Sequence, residues 1–210
     1  MDRQEPYLKT LDLKLSVGQE KNLLAYIDFL WQKKQDLNLT SVETKQEIWD
    51  RHILDALNAV SLIKQLDKTV LNIADFGSGA GYIGLVIAIM LPKAKITLIE
   101  SLNKRCLFLN WVCLKLGLKN VEVLNIKVGQ TNIDKIFDIT TERAMGKIDE
   151  VLPLCTNNLK SGGCFLAYQG AESSPSLQTQ QQAEVCLELE KKYFLPCDEK
   201  MRKIAVFRKI

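Results

Sequence analysis

Ala74-Asp75-Phe76-Gly77-Ser78-Gly79-Ala80-Gly81-Tyr82-Ile83-Gly84 decides how the rest of the chain is read. It joins an apolar run, Val70–Phe76, to a largely apolar helical stretch, Ala80–Leu91. Alternating glycines allow a tight strand-to-helix turn, and they let backbone N–H groups approach a ligand closely. Glu100 closes the next apolar run, Ile96–Ile99, and lies 23 residues after Gly77. A carboxylate at that point can accept hydrogen bonds from both hydroxyls of a ribose. Glycine loop and acid together point to an adenosine-containing cofactor.

Two cofactor classes fit. Gly79-Ala80-Gly81-Tyr82-Ile83-Gly84 satisfies GxGxxG, which admits a nicotinamide dinucleotide. Against it, the loop has already turned at Gly77, and Asp75 would repel a pyrophosphate. S-adenosylmethionine (SAM) has an ammonium, a sulfonium and no phosphate. The run Asp75-x-Gly77-x-Gly79-x-Gly81, with Ser78 and Tyr82 beside the glycines, suits it better.

Outward from the loop, strands and helices alternate. Lys104–Leu116 reads as a helix ended by Gly117, Val121–Leu124 and Phe137–Thr141 as strands, and Glu150–Leu159 as a helix. Cys164–Tyr168 is a further strand, Leu177–Lys192 a last helix, and Ile204–Phe207 is strand-like. Such alternation predicts an α/β fold, a parallel sheet covered on both faces, with the ligand beyond the carboxyl ends of the strands. Upstream, Ser16/Gln19 and Thr44/Glu47 have capping-box spacing and open two amphipathic helices. The expected division is a helical extension over 1–68 and the sheet domain over 69–210, packed as one unit.

Composition agrees. The 210 residues are 47% hydrophobic and 25% charged, which describes a folded globular chain rather than a disordered one. No apolar run approaches a membrane span, and the first residues open no signal-like segment, so a cytoplasmic protein is expected. His52 is the sole histidine and the six cysteines include no CxxC pair, so no metal site is expected and the thiols read as buried and reduced. The net charge of +3 is too small to name a partner. Lys200, Arg202, Lys203, Arg208 and Lys209 form a basic C-terminal cluster. It reads either as a phosphate contact or as a lysine-protected edge strand.

From about Asn38 onward the chain resembles the bacterial small-subunit ribosomal RNA guanine-N7 methyltransferase family, also called glucose-inhibited division protein B. The residues that carry the resemblance are Asn38-Leu39-Thr40, His52-x-x-Asp55, Asp75-Phe76-Gly77-Ser78-Gly79-Ala80-Gly81, Ser101-x-x-Lys104-Arg105 and Glu142-Arg143-Ala144. The resemblance implies a class I SAM-dependent methyltransferase: a Rossmann-like, mostly parallel seven-stranded sheet with an N-terminal helical extension. It implies N7 methylation of one guanine in the decoding-region loop of 16S rRNA, on the assembled small subunit. It places the cofactor at Gly77, Tyr82, Val128, Gly129 and Arg143. Two positions depart from the family: Lys127-Val128-Gly129 replaces an Arg-Ala-Glu-like run, and Gln169 stands where a lysine is usual.

Guanine N7 carries a lone pair and no proton, so its methylation needs positioning rather than a general base. Arg143 is the one candidate at the reacting centre; it could equally hold the cofactor, a phosphate or a surface acid. His52 can contact RNA or hydrogen-bond near Asp55. Lys104 and Arg105 can bind phosphate or cover the start of their helix, and Gln169 is expected to face the RNA. A non-catalytic SAM- or RNA-binding relative remains the main alternative, with an oxidoreductase behind it.

Overall fold

The computed structural model describes residues 5–37, 42–65, 71–170 and 172–210. Asn38-Leu39-Thr40, Val70 and the expected boundary at 68/69 lie outside the described residues. The chain opens with helices α1 (Glu5–Thr10) and α2 (Val17–Leu37). Next comes α3 (Lys45–Ile48), which runs through a wider π turn, Trp49–Ile53, into α4 (Leu54–Lys64). Both capping boxes form: Gln19 N donates to Ser16 Oγ at 3.2 Å, and Glu47 N donates to Thr44 Oγ1 at 3.1 Å. The π turn contains His52 and ends one residue before α4. Such turns re-aim the side chains around them.

The sheet domain alternates β1 (Asn72–Phe76), α5 (Gly84–Met90), β2 (Lys95–Glu100), α6 (Asn103–Leu116), β3 (Val121–Asn125), β4 (Phe137–Arg143), α7 (Ile148–Thr156) and β5 (Leu159–Gly170). After these come α8 (Leu177–Gln182), β6 (Val185–Tyr193) and β7 (Arg202–Lys209). The seven strands lie in the order β3-β2-β1-β4-β5-β7-β6. The first five are mutually parallel, and β7 pairs antiparallel with both β5 and β6. The order therefore reverses between β1 and β4, which opens a crevice at their carboxyl ends.

One apolar cluster joins the extension to the sheet. Leu23, Tyr26, Ile53 and Leu57 share it with Val86, Ile96 and Leu166. The second face is packed by α7 and the sheet's other side, with Phe76, Leu152, Phe165 and Phe207. The extension is bolted to the glycine loop as well: Tyr26, fully buried, donates its hydroxyl to the Ala80 carbonyl at 2.8 Å.

Three expectations are corrected. The helix over Leu177–Lys192 is only α8; at Glu184 the backbone takes a positive φ of 52° and the chain continues as β6. Val185-Cys186-Leu187-Glu188-Leu189-Glu190 alternates with period two, and pairing with β7 outweighs the helix propensity of its glutamates and lysines. The basic cluster is not an edge strand, since β6 lies outside β7. Its cations also meet acids: Lys203 is buried against Glu190 at 2.6 Å, Arg202 grips Asp198 at 2.7 and 2.8 Å, and Arg208 reaches Glu188 at 2.7 Å. Finally, Cys106, Cys113, Cys155 and Cys164 are buried, but Cys186 and Cys197 are exposed, carried by the edge strand and the turn after it.

Candidate cofactor cleft

The chain leaves β1 through Gly77, Gly79 and Gly81, whose φ angles are +64°, +57° and +89°. Only glycine takes these without strain. The loop folds onto the end of β2. Ser78 N donates to the Ile99 carbonyl at 3.0 Å, and Gly79 N donates to Glu100 Oε2 at 2.8 Å. A Cβ at Gly77 would stand 2.6 Å from Met145 Cγ, so this loop and the loop after β4 nearly touch.

Glu100 is 4% exposed and already accepts Leu102 N at 2.8 Å and Ser101 Oγ at 3.3 Å on Oε1. A carboxylate offers about four acceptor sites. One is therefore left for a ribose hydroxyl, and the long Ser101 bond can yield another. Arg105 stands 3.8 Å from the same carboxylate, which makes it a partner of the acid rather than an open phosphate ligand. Lys104 is exposed beside it.

Asp75 lies beneath the loop. It is 2% exposed, and its oxygens accept Gly84 N and Thr141 Oγ1, both at 3.0 Å. Burial pushes its pKa up to about 6 despite those bonds. Its visible work is to tie the start of α5 to β4. Glu142, also buried, accepts Met145 N at 3.2 Å, and burial pushes it up to about 7.

Arg143 ends β4 and meets Asp55 of α4 at 2.9 Å, with its guanidinium 5.2 Å from the Tyr82 ring centroid. Burial opposes its charge, but Asp55 outweighs burial and raises its pKa further. The His52 ring stacks on Tyr82 with centroids 4.1 Å apart. Burial, then Arg143, Arg51 and Arg202, depress the His52 pKa to about 3, so the ring is neutral near pH 7. His52, Tyr82 and Arg143 thus form one layer beside the glycine loop. Asp55 also accepts the Tyr193 hydroxyl at 2.7 Å. Val128 and Gly129 follow β3 and lie against α7, where a Cβ on Gly129 would come 3.2 Å from Leu154.

Gln169 is separated from the loop. It lines a cavity of about 330 Å³ at the ends of β4 and β5, together with Asp55, Arg143, Tyr168, Tyr193 and Arg202. Its carboxamide is turned away from solvent rather than toward an open channel. Sequence reasoning did not single out Tyr26, Tyr168 or Tyr193 as supports. The Tyr193 signal was hidden by the helical reading of that segment.

The donor-rich glycine loop, the acid ending β2 and the order reversal at β1/β4 fit SAM. This fold and cleft define a class I SAM-dependent methyltransferase. A solved SAM-dependent methyltransferase from Aquifex aeolicus shares the fold, with TM-score 0.57 and 15% identity over 78% of this chain and 96% of that one. The family model described as rRNA small subunit methyltransferase G matches residues 19–205. The chain is 30% identical to Ribosomal RNA small subunit methyltransferase G of Acetivibrio thermocellus, covering 100% of this chain and 91% of the relative. It is 34% identical to the protein of that name from Carboxydothermus hydrogenoformans, covering 98% and 92%. The chain belongs to the rRNA small subunit methyltransferase G family, which sets aside the oxidoreductase reading.

Proposed function

We propose that this enzyme methylates N7 of a guanine in 16S rRNA, on the small ribosomal subunit in the cytoplasm. The observation that carries the reading is the family match over residues 19–205 on a chain whose β1/β4 cleft suits SAM. His52 is a weak base whose pKa is held near 3, and Asp75 and Glu142 are buried, with both oxygens of Asp75 and one of Glu142 hydrogen-bonded inside the protein. That suits a nucleophile with no proton to lose.

When bound, SAM supplies a methyl group on a sulfonium. The methyl would pass to guanine N7, whose lone pair carries no proton to remove, so this chain has only to hold and align the two reactants. Gly77–Gly81 and Glu100 would hold the nucleoside portion. Tyr82, Val128, Gly129 and Arg143 would border the rest, with Asp55 fixing the direction of Arg143. Rate then comes from alignment of the two reactants. His52 and the exposed Lys104 remain the candidate RNA contacts, whereas Arg105 is held at Glu100 and the Gln169 carboxamide is turned inward. Among the described residues no helix is long and apolar enough to cross a membrane, and no group of three or more His, Cys, Asp or Glu residues could hold a metal.

The test is nucleoside mass spectrometry of 16S rRNA from a strain lacking this protein. Loss of one 7-methylguanosine, restored by purified protein and SAM, is the expected result. An unchanged nucleoside profile would favour a non-catalytic RNA-binding role.

A further inference from the structure

The two flanks of the sheet treat their cations differently. On β6 and β7 the cations meet acids: Lys203 meets Glu190, Arg202 meets Asp198 and Arg208 meets Glu188. On the other flank, Ser101 through Val121 carry Lys104, Arg105, Lys115 and Lys119 and no carboxylate. Arg105 stands at Glu100. Lys104, Lys115 and Lys119 have no ion-pair or hydrogen-bond partner among the described residues, and neither has Lys95 at the start of β2. Lys104 and Lys115 are separated by three turns of α6, so they share one side of it, about 16 Å apart along the axis. Leu107, 61% exposed, and Leu114, 79% exposed, lie on the same side with the half-buried Trp111, whose ring rests on Phe29. This stripe starts at the cofactor cleft, where Leu102 N, just ahead of α6, donates to Glu100 Oε1 at 2.8 Å. It ends at the opposite rim of the sheet, where Lys95 and Lys119 line a cavity of about 420 Å³ with Thr97 and Asn120. Lys135 lines that cavity too, but it is paired with Glu122.

We propose that the exposed side of α6, continued by Lys119 and Lys95, docks the phosphate backbone of 16S rRNA beyond the target nucleotide. A substrate of that size extends past a cleft that serves one base, and this track runs out of the cleft along a single helix. Its lysines have no internal partner to give up, so each phosphate contact comes without a broken ion pair; the cations of β6 and β7 would have to leave their acids first. Contacts of this kind position the RNA and do not read its sequence. A lipid surface fits less well. A helix that lies in a bilayer buries its broad apolar side there, whereas α6 turns Cys106, Leu109, Val112 and Cys113 into the protein. The inference rests on the small-subunit rRNA reading above.

The experiment combines Lys95→Gln, Lys115→Gln and Lys119→Gln, the three lysines remote from Glu100, in one full-length chain. A control chain combines Lys14→Gln, Lys64→Gln and Lys192→Gln, exposed lysines outside this track, and loses the same net charge. Binding to small subunits from the deletion strain is measured across a salt series, and so is binding to naked 16S rRNA and to vesicles of anionic phospholipid. The track variant should bind subunits about 10–100-fold more weakly at 0.1 M salt, and its slope of log affinity against log salt should be shallower by about two units. Naked rRNA should show the same change in slope. The control should bind nearly as wild type does. In methyl transfer the KM for subunits should rise while kcat stays within about twofold, since the reacting centre is untouched. SAM affinity and the melting temperature should hold, because all three side chains are exposed.

Equal losses in the track and control variants would mean that net charge alone is at work, and would overturn the inference. A loss on subunits with none on naked rRNA would assign the face to a ribosomal protein. Lysine-dependent binding to the vesicles, with subunit binding unchanged, would assign it to lipid; either outcome overturns the RNA assignment. A wild-type protein that does not bind small subunits overturns the proposed function and this inference with it. A wild type that binds and methylates them, with a track variant indistinguishable from it, overturns the inference alone.

Discussion

Asp55 and Arg143 are 88 residues apart in sequence and meet at 2.9 Å. One belongs to the helical extension, the other ends the strand beside the order reversal. Their side chains are 6% and 21% exposed, so the pair is largely desolvated. Its two members are supported unequally. Without Arg143, Asp55 keeps the Tyr193 hydroxyl and has Arg202 at 3.9 Å. Without Asp55, Arg143 keeps chiefly the face of Tyr82.

Asp55→Ala should therefore destabilise the protein by about 3 kcal/mol, the scale for leaving one charge of a buried pair alone. Arg143→Ala should cost less stability and more activity. Urea unfolding beside methyl-transfer assays of both variants checks the asymmetry; a reversed order of stabilities would contradict it.

Glu100→Ala should weaken SAM binding by roughly 1.5–3 kcal/mol, as expected for hydrogen bonds to a charged group. NAD should not bind either form. Glu100→Gln keeps one acceptor and should fall between. Isothermal titration decides, and a Glu100→Ala affinity equal to wild type would remove this acid from the site.

The sheet was readable because buried parallel strands and their helices leave long apolar runs, as Ile96–Ile99 and Leu85–Met90 do. Glu100 was readable because a strand that ends in an acid 23 residues past Gly77 is a local pattern. What joins distant segments was not. Neither Tyr193 on Asp55 nor Tyr26 on the Ala80 carbonyl has any local signal, since each contact is made only after the helices dock. Asp75 was legible as a residue at the loop but not in its direction: the pleat turns it under the loop, toward Gly84 N and Thr141. The edge strand β6 was missed because glutamate and lysine propensity masked its alternation.

Gly77→Ala should impair the cleft more than the fold. Alanine strains a φ of +64°, and its Cβ would press on Met145 Cγ, the middle of a flexible side chain. The strain costs about 1–2 kcal/mol, while displacement of the loop after β4 should cut SAM affinity severalfold. A paired melt and titration tests this, and Met145→Ala in the same chain should restore part of the affinity.

The last prediction concerns pH. Burial raises Glu142 from 4.5 to about 7 and Asp75 from 3.8 to about 6. A carboxyl whose pKa is raised on folding favours the folded state where it is protonated, and that contribution is lost as pH rises through the folded pKa. His52 acts in the opposite sense: depressed from 6.5 to about 3, it supports the fold above pH 6.5 and withdraws that support as pH falls. Wild-type stability alone therefore mixes two trends. Comparison with Glu142→Gln isolates one of them. Glutamine keeps an acceptor for Met145 N and cannot ionise. At about pH 8 it should be more stable than wild type by roughly 3 kcal/mol, and near pH 4.5 the difference should nearly vanish. Urea midpoints at several pH values measure this directly. A gap that stays constant with pH would mean that Glu142 is protonated, or ionised, equally in the folded and unfolded chains.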